Sequence, residues 1–276
     1  LSKGPFMFKV LQDNIAGRGI EVRLTCHAER LISDEDGEVQ GLWLRDSGAS
    51  KAVAARKAVI LACGGFESDP ARQRQHWQLN PVLSAAFRGN TGDGIRMAVD
   101  VGADLWHMWH YHGTYGFRLP DFPFAIRTKR LPDWVPGARE AETAMSWILV
   151  DRGGRRFMNE YEPYMQDTGH RPLDVVDVTS MSQPYVPCHM IFDEDGRAMY
   201  PIGHAVFNER GVEPYDWSQD NLKEVQNGLL RKADNVAELA GIIGCPTDRL
   251  QESLDEWNAA CEAGTDAVLG RPAKTM

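Results

Sequence analysis

Two glycine-bearing stretches, Ala62-Cys63-Gly64-Gly65-Phe66 and Asn90-Thr91-Gly92-Asp93-Gly94-Ile95, decide how this chain folds. The first closes Lys57-Ala58-Val59-Ile60-Leu61, a short apolar run with the β-branched content of a buried strand in an α/β sheet. Two glycines at the carboxyl end of such a strand let backbone approach a ligand closely, and open α/β sheets bind nucleotides at that edge. The second leads into Ile95 to Gly102, a helix that Gly102 ends, so Thr91 to Gly94 present backbone N–H groups at a helix N-terminus. Taken singly, the first stretch is more often a tight turn and the second more often a plain helix entry. Gly92-Asp93-Gly94 followed by Ala98 imitates a dinucleotide fingerprint, but a fingerprint opens directly from a strand and residues 80–90 do not read as one.

Composition narrows the function classes. A chain of 276 residues can bury a sizeable core and hold two domains. Its formal net charge of −9 leaves no basic excess to neutralise phosphates, which argues against a nucleic-acid partner. No apolar run reaches the length of a membrane span, and Leu1-Ser2-Lys3-Gly4-Pro5 is not a signal peptide, so the chain reads as cytoplasmic. The five cysteines, Cys26, Cys63, Cys188, Cys245 and Cys261, are scattered and never spaced as Cys-x-x-Cys, which argues against a disulfide framework or a structural zinc site. Cys63, in its glycine turn, is expected to be small, buried and inert.

Along the chain, Phe6 to Gly17 reads as a helix and Gly19 to Leu24 as a strand. Arg30 to Ile32 and Val39 to Leu44 flank the turn Ser33-Asp34-Glu35-Asp36-Gly37 as a hairpin. That turn and Asp193-Glu194-Asp195-Gly196 lack the spacing and closing glutamate of a calcium loop, and both read as solvated turns. Beyond Gly102 come Trp106, His107, Trp109, His110, Tyr111, His112, Tyr115 and Phe117, then a proline-rich stretch, which places a domain boundary near Leu105. His107 and His110 have helical spacing, but the stretch reads as irregular, so an aromatic wall is expected there and no metal. Trp147 to Val150 and Arg156 to Met158 read as a hairpin around Asp151 to Gly154, with a further strand at His189 to Phe192.

From Ser218 onward the pattern is helical, with Leu222, Val225 and Leu229 on one face, Gly244 stopping one helix and Thr247 capping the next. Residues 236–254 imitate a helix-turn-helix, yet the second helix carries Asp248, Glu252, Asp255 and Glu256 against Arg249 and would repel phosphates. Leu250, Leu254, Trp257 and Cys261 instead form an apolar stripe for docking on a core.

The order of these motifs, with Gly102-Ala103-Asp104-Leu105 and then Ile148-Leu149-Val150-Asp151-Arg152-Gly153-Gly154-Arg155-Arg156-Phe157-Met158-Asn159-Glu160, resembles the FAD-dependent fumarate reductase and 3-ketosteroid dehydrogenase superfamily. The resemblance implies an α/β fold: a partial, Rossmann-like FAD-binding domain with a β-meander over 1–105, and an α+β substrate-capping domain over 106–276. It implies FAD as cofactor, with Ala28 at the adenine end and Ala62, Cys63, Gly64, Gly65, Thr91, Gly92 and Asp93 along the ribityl chain and ring. In the fumarate reductase branch an arginine stands four residues after the Glu of Asn-Glu; here that residue is Tyr164. A phenol supplies no fixed charge for a dicarboxylate, whereas Asn159-Glu160-Tyr161-Glu162-Pro163-Tyr164 is similar to the ketosteroid dehydrogenase segment that carries a catalytic tyrosine.

By that resemblance Tyr164 is the base at the carbon beside a ketone while hydride leaves the next carbon for flavin N5. Arg156, Arg155 or Arg171, or a hydrogen bond to the developing phenolate, is a candidate for favouring its anion, and His112 and Tyr115 are candidates for facing substrate. Asn159 and Glu160 are expected to serve the fold, with Glu160 pairing an arginine. The expected partners are an apolar, carbonyl-containing small molecule, walled by Trp106, Trp109, Tyr111 and Phe117, and an unidentified electron donor or acceptor. The alternatives are reduction of an unsaturated carboxylate, as in the fumarate reductases, and a non-catalytic binding module. The chain is expected to be an internal piece of a longer flavoprotein, unable by itself to hold FAD tightly.

Overall fold

The computed structural model describes residues 3–85, 87–129, 145–161, 169–206, 209 and 211–276. Tyr164 lies outside them. The architecture mixes helix and sheet and divides into two compact units, residues 1–65 with 92–106, and residues 66–91 with 107–276.

The first unit opens with helix α1 (Lys3–Gly17) and holds the antiparallel meander β1 (Cys26–Ser33), β2 (Val39–Asp46) and β3 (Ala49–Ala54). The expected hairpin is present: Asp34 Oδ1 accepts from the N–H groups of Asp36 and Glu38, and Gly37 takes φ +83°. β3 was not foreseen. It joins β2 through Ser47 and Gly48, both at positive φ (+51° and +86°), the two-residue turn whose twist matches antiparallel strands. Helix α3 (Asp93–Val99) packs on β1 with Met97 1% exposed, and Gly102 at φ +95° closes the turn after it.

Two expected strands do not form. Residues 19–24 and 57–61 are irregular, with Leu24 78% and Ile60 88% exposed. A strand buried on both faces needs ladder partners for its backbone, and among the described residues neither segment has one.

In the second unit, helix α2 (Pro70–His76) starts at Asp69, whose carboxylate accepts from the N–H groups of Ala71 and Arg72. The two-residue strands β4 (Gly116–Phe117) and β5 (Ile126–Arg127) pair, and β6 (Ile148–Val150) pairs antiparallel with β7 (His189–Ile191). β6 is buried on both faces with period two: Trp147 and Leu149 enter a core with Tyr115, Phe124, Met158 and Trp217, while Ile148 and Val150 enter another with Ile191, Ala240 and Leu250. The hairpin expected across Asp151 to Gly154 contracts to a turn closed by a single bridge between Val150 and Arg156, and the ladder of β6 forms with β7.

The acidic stretch at 193–196 is a correction: Asp193 caps helix α4 (Glu194–Met199) by accepting from the Gly196 N–H at 2.8 Å. Helices α5 (Leu222–Gln226), α6 (Val236–Ile243) and α7 (Thr247–Ala263) follow, and Gly244 at φ +84° ends α6 as expected. Thr247 is the first helical residue of α7 and makes no capping bond. The apolar stripe of α7 carries Leu250, Leu254 and Trp257 into the core but leaves Cys261 exposed.

Candidate functional site

In the first unit the two glycine stretches meet. Gly92 donates its N–H to the Gly65 carbonyl at 2.9 Å, and Gly64 and Gly92 both take left-handed φ, +78° and +81°. A side chain in that conformation is strained, so glycine is the residue these turns require. Gly94 serves a different end: a Cβ there would lie 2.9 Å from Cys63 Sγ, so its hydrogen lets α3 approach residues 61–63. Ala62, Cys63 and Gly64 are exposed, which corrects the expectation of a buried Cys63. Among the described residues their N–H groups have no backbone partner, because the strand expected before them does not form.

Asp93 starts α3, while Thr91, grouped with the second unit, is exposed with its N–H on the Gly89 carbonyl at 3.0 Å. Ala28 lies on β1 opposite Leu44, at a bulge, and Arg96 on α3 donates to the neighbouring Glu29 carbonyl at 3.2 Å. The result is a small-residue backbone cradle with free donors, which fits a nucleotide cofactor approached edge-on by main chain.

In the second unit Arg156 and Glu160 form a two-pronged ion pair, Nε to Oε1 at 2.8 Å and Nη2 to Oε2 at 2.7 Å. Arg156 Nη1 binds Asp266 Oδ2 at 2.8 Å, and its side chain is 8% exposed. Glu160 Oε1 also accepts from the Leu149 N–H at 3.0 Å, and Arg271 stands 3.5 Å from Glu160 Oε2. Arg271 donates to the carbonyls of Met145, Trp147 and Thr275. Both guanidiniums lie against the Trp257 ring, with Arg156 Cζ at 4.4 Å and Arg271 Cζ at 4.6 Å from its centroid.

Burial works against charge on Arg156, yet the hydrogen bonds and charges of Glu160 and Asp266 hold its pKa above the ordinary value. Burial likewise disfavours charge on Asp266, but bonds from the N–H groups of Leu269 and Arg271 and from Arg156 keep its carboxyl below the usual range. Glu160 thus pairs an arginine as expected. Asp266, Trp257 and Arg271, about a hundred residues further along the chain, carried no local signal, since spacing reports only neighbours on one element.

Tyr115 is 7% exposed, donates from its hydroxyl to the Glu160 carbonyl at 2.9 Å and meets Trp147 edge-on. His112 is exposed. Of the aromatic wall, Trp106 and Trp109 are exposed, whereas Phe117 packs on Trp217 with ring centroids 4.9 Å apart and Tyr111 stacks on His170. Among the described residues no cluster of His, Cys, Asp and Glu is arranged to hold a metal, and no helix is long and apolar enough to cross a membrane.

With this geometry in hand, the chain belongs to the FAD binding domain family, whose model matches residues 1–275. FAD is the cofactor of that family. The 3-oxosteroid 1-dehydrogenase of Mycobacterium tuberculosis is 30% identical over 243 residues, covering 84% of this chain and 39% of the relative. The fumarate reductase (cytochrome) of Shewanella frigidimarina is 24% identical over 270 residues, covering 98% of this chain and 40% of the relative. Among solved structures, the 3-ketosteroid delta1-dehydrogenase of Sterolibacterium denitrificans in complex with 1,4-androstadiene-3,17-dione superposes with a TM-score of 0.73 at 24% identity, covering 94% of this chain and 43% of that one. The chain therefore spans about two fifths of the length of these relatives.

Proposed function

We propose that this chain belongs to a flavoprotein oxidoreductase that acts on the CH–CH bond beside a ring ketone, in the manner of a 3-oxosteroid dehydrogenase. The observation that carries it is the joining of the two glycine turns by the Gly92–Gly65 hydrogen bond, in a chain of the FAD binding domain family. Residues 1–105 are the cofactor-binding part, Rossmann-like with its meander, and 106–276 the α+β cap. Ala62, Cys63, Gly64, Gly65, Thr91, Gly92 and Asp93 hold FAD by backbone, with Ala28 at the adenine end. FAD, when bound, supplies the two-electron chemistry.

The chain's own residues supply substrate placement and proton removal. Tyr164 is assigned as the base that takes the proton from the carbon beside the ketone, the step that needs an acceptor within hydrogen-bond reach. An ordinary phenol ionises near pH ~10, so its anion needs support. Arg156 gives that support indirectly, because its Nε, Nη1 and Nη2 donors are committed to Glu160 and Asp266. It anchors the segment that leads to Tyr164. Tyr115 ties the 111–117 segment to Glu160, and His112 and Trp109, both exposed, are assigned to the substrate side.

A ring ketone is favoured over a dicarboxylate because tyrosine stands where the fumarate reductase branch has its arginine, and because identity is 30% to the oxosteroid enzyme against 24% to the fumarate enzyme. Replacement Tyr164→Phe in the FAD-bound protein tests the assignment. Turnover of 4-androstene-3,17-dione falls at least about a hundredfold with flavin retained, the loss expected of a missing general base. Unchanged turnover removes Tyr164 from the chemistry.

A further inference from the structure

Apart from the Arg156 network, the second unit holds a polar cluster with no role in the account above. Asp174, which ends the turn Arg171–Asp174, has Oδ1 accepting from the Tyr111 hydroxyl at 3.0 Å and Oδ2 at 2.7 Å from His170 Nδ1. The other ring nitrogen, His170 Nε2, lies 3.0 Å from the Tyr111 carbonyl oxygen. The two rings stack with centroids 4.0 Å apart and 27° between planes, and His170 is 4% exposed. Among the described residues the titratable groups facing the imidazole are Asp174, Tyr111 and His110, whose ring centroid is 6.0 Å away; Arg171, next in the chain, is exposed.

A neutral imidazole carries one N–H and one lone pair. Here both nitrogens meet acceptors, since a carbonyl oxygen only accepts and the carboxylate already accepts from a phenol. The arrangement is satisfied in full when the His170–Asp174 pair holds one proton more than a neutral imidazole and a carboxylate carry together. Burial makes the alternative costly, because a lone pair turned toward an acceptor loses a hydrogen bond without gaining water.

We infer that His170 and Asp174 are positioning residues that clamp Tyr111, and with it the His112 to Tyr115 segment, to the chain that follows Tyr164, and that the clamp closes fully only while the pair holds this extra proton. The effect on substrate rests on the proposed ketone chemistry; the protonation of the pair does not.

The test takes the FAD-bound protein, with 4-androstene-3,17-dione as the probe, and follows both steady-state kinetics and the imidazole resonances by nitrogen and proton NMR. In the wild type the His170 ring carries hydrogen on both nitrogens, or shares one with Asp174. His170→Ala raises KM about tenfold with a smaller change in kcat, as expected when a wall is displaced and no reacting group is removed. Asp174→Asn is the rescue. Its amide N–H donates to an unprotonated Nδ1, Nε2–H keeps the Tyr111 carbonyl, and the amide oxygen keeps the Tyr111 hydroxyl.

That variant keeps KM within about twofold of the wild type. A single, unshared ring hydrogen on wild-type His170 overturns the clamp, as does an unchanged KM in His170→Ala. If His170→Ala fails to fold, the wild-type resonances and the KM of Asp174→Asn decide, a KM raised about tenfold in that variant counting against the clamp. Two ring hydrogens in a protein that turns over no steroid support the clamp and sink the ketone assignment instead.

Discussion

Gly92 donates its backbone N–H to the carbonyl of Gly65 at 2.9 Å, and this one bond makes a single cradle of two turns that are far apart in sequence. Gly94 keeps the cradle tight, with Cys63 Sγ 2.9 Å from where a Cβ would stand. Gly94→Ala is therefore expected to destabilise the first unit by about 1–3 kcal/mol through overpacking and to weaken FAD binding with it. Cys63→Ala in the same chain removes the clashing sulfur and restores most of the loss. Thermal melts and FAD titration of both variants measure this, and equal losses in the single and double variants would contradict it.

Cys63 is exposed on the face assigned to the cofactor, whereas Cys188 is partly covered and burial pushes its thiol up to about 11. Iodoacetamide at neutral pH should modify Cys63 well before Cys188, since the thiolate is the reactive form. Added FAD should slow modification at Cys63 and leave Cys261, exposed at the end of α7, unaffected. Peptide mapping reads both rates, and no protection of Cys63 would displace it from the cofactor site.

The Arg156–Glu160 pair is almost wholly out of water, with side chains 8% and 0% exposed. Arg156→Met strands two buried carboxylates and is expected to cost about 3–5 kcal/mol in urea unfolding. Adding Glu160→Met removes one of the stranded charges, so the double variant costs less than the sum of the single ones. Additive losses would mean that the two side chains act independently.

Asp266 gives the same network a pH signature. Its carboxyl is held below the ordinary value of 3.8, so it contributes stability that is fully present above that value and is lost as pH falls through the lowered one. Asp266→Asn should flatten the acid limb of the stability profile while lowering stability at neutral pH. An acid limb that is the same in both proteins would assign the transition to other groups.

Much of this was legible in the sequence because it is local. The glycine turns, the hairpin around Asp34 to Gly37, the stop at Gly244 and the strand at His189 follow from residue types within a few positions. The strands expected at 19–24 and 57–61 failed on a non-local condition, a ladder partner, which no window of sequence contains. β3 was missed because Ala49-Ser50-Lys51-Ala52-Val53-Ala54 has little apolar alternation and is held by its turn and by β2. The Arg156 to Arg271 network was half legible: Arg156 and Glu160 stand four apart, but Asp266 and Arg271 reach them from the far end of the chain through tertiary packing. His170 and Asp174 went unread for the same reason, since their meaning depends on Tyr111.

The most direct test of the flavoprotein account is an anaerobic half-reaction. The protein is loaded with FAD and mixed without oxygen with 4-androstene-3,17-dione while the flavin absorbance is followed. The account predicts that the yellow band bleaches within one turnover and that 1,4-androstadiene-3,17-dione appears in equal amount. A flavin that stays oxidised, and that once chemically reduced is not reoxidised by 1,4-androstadiene-3,17-dione, would contradict it.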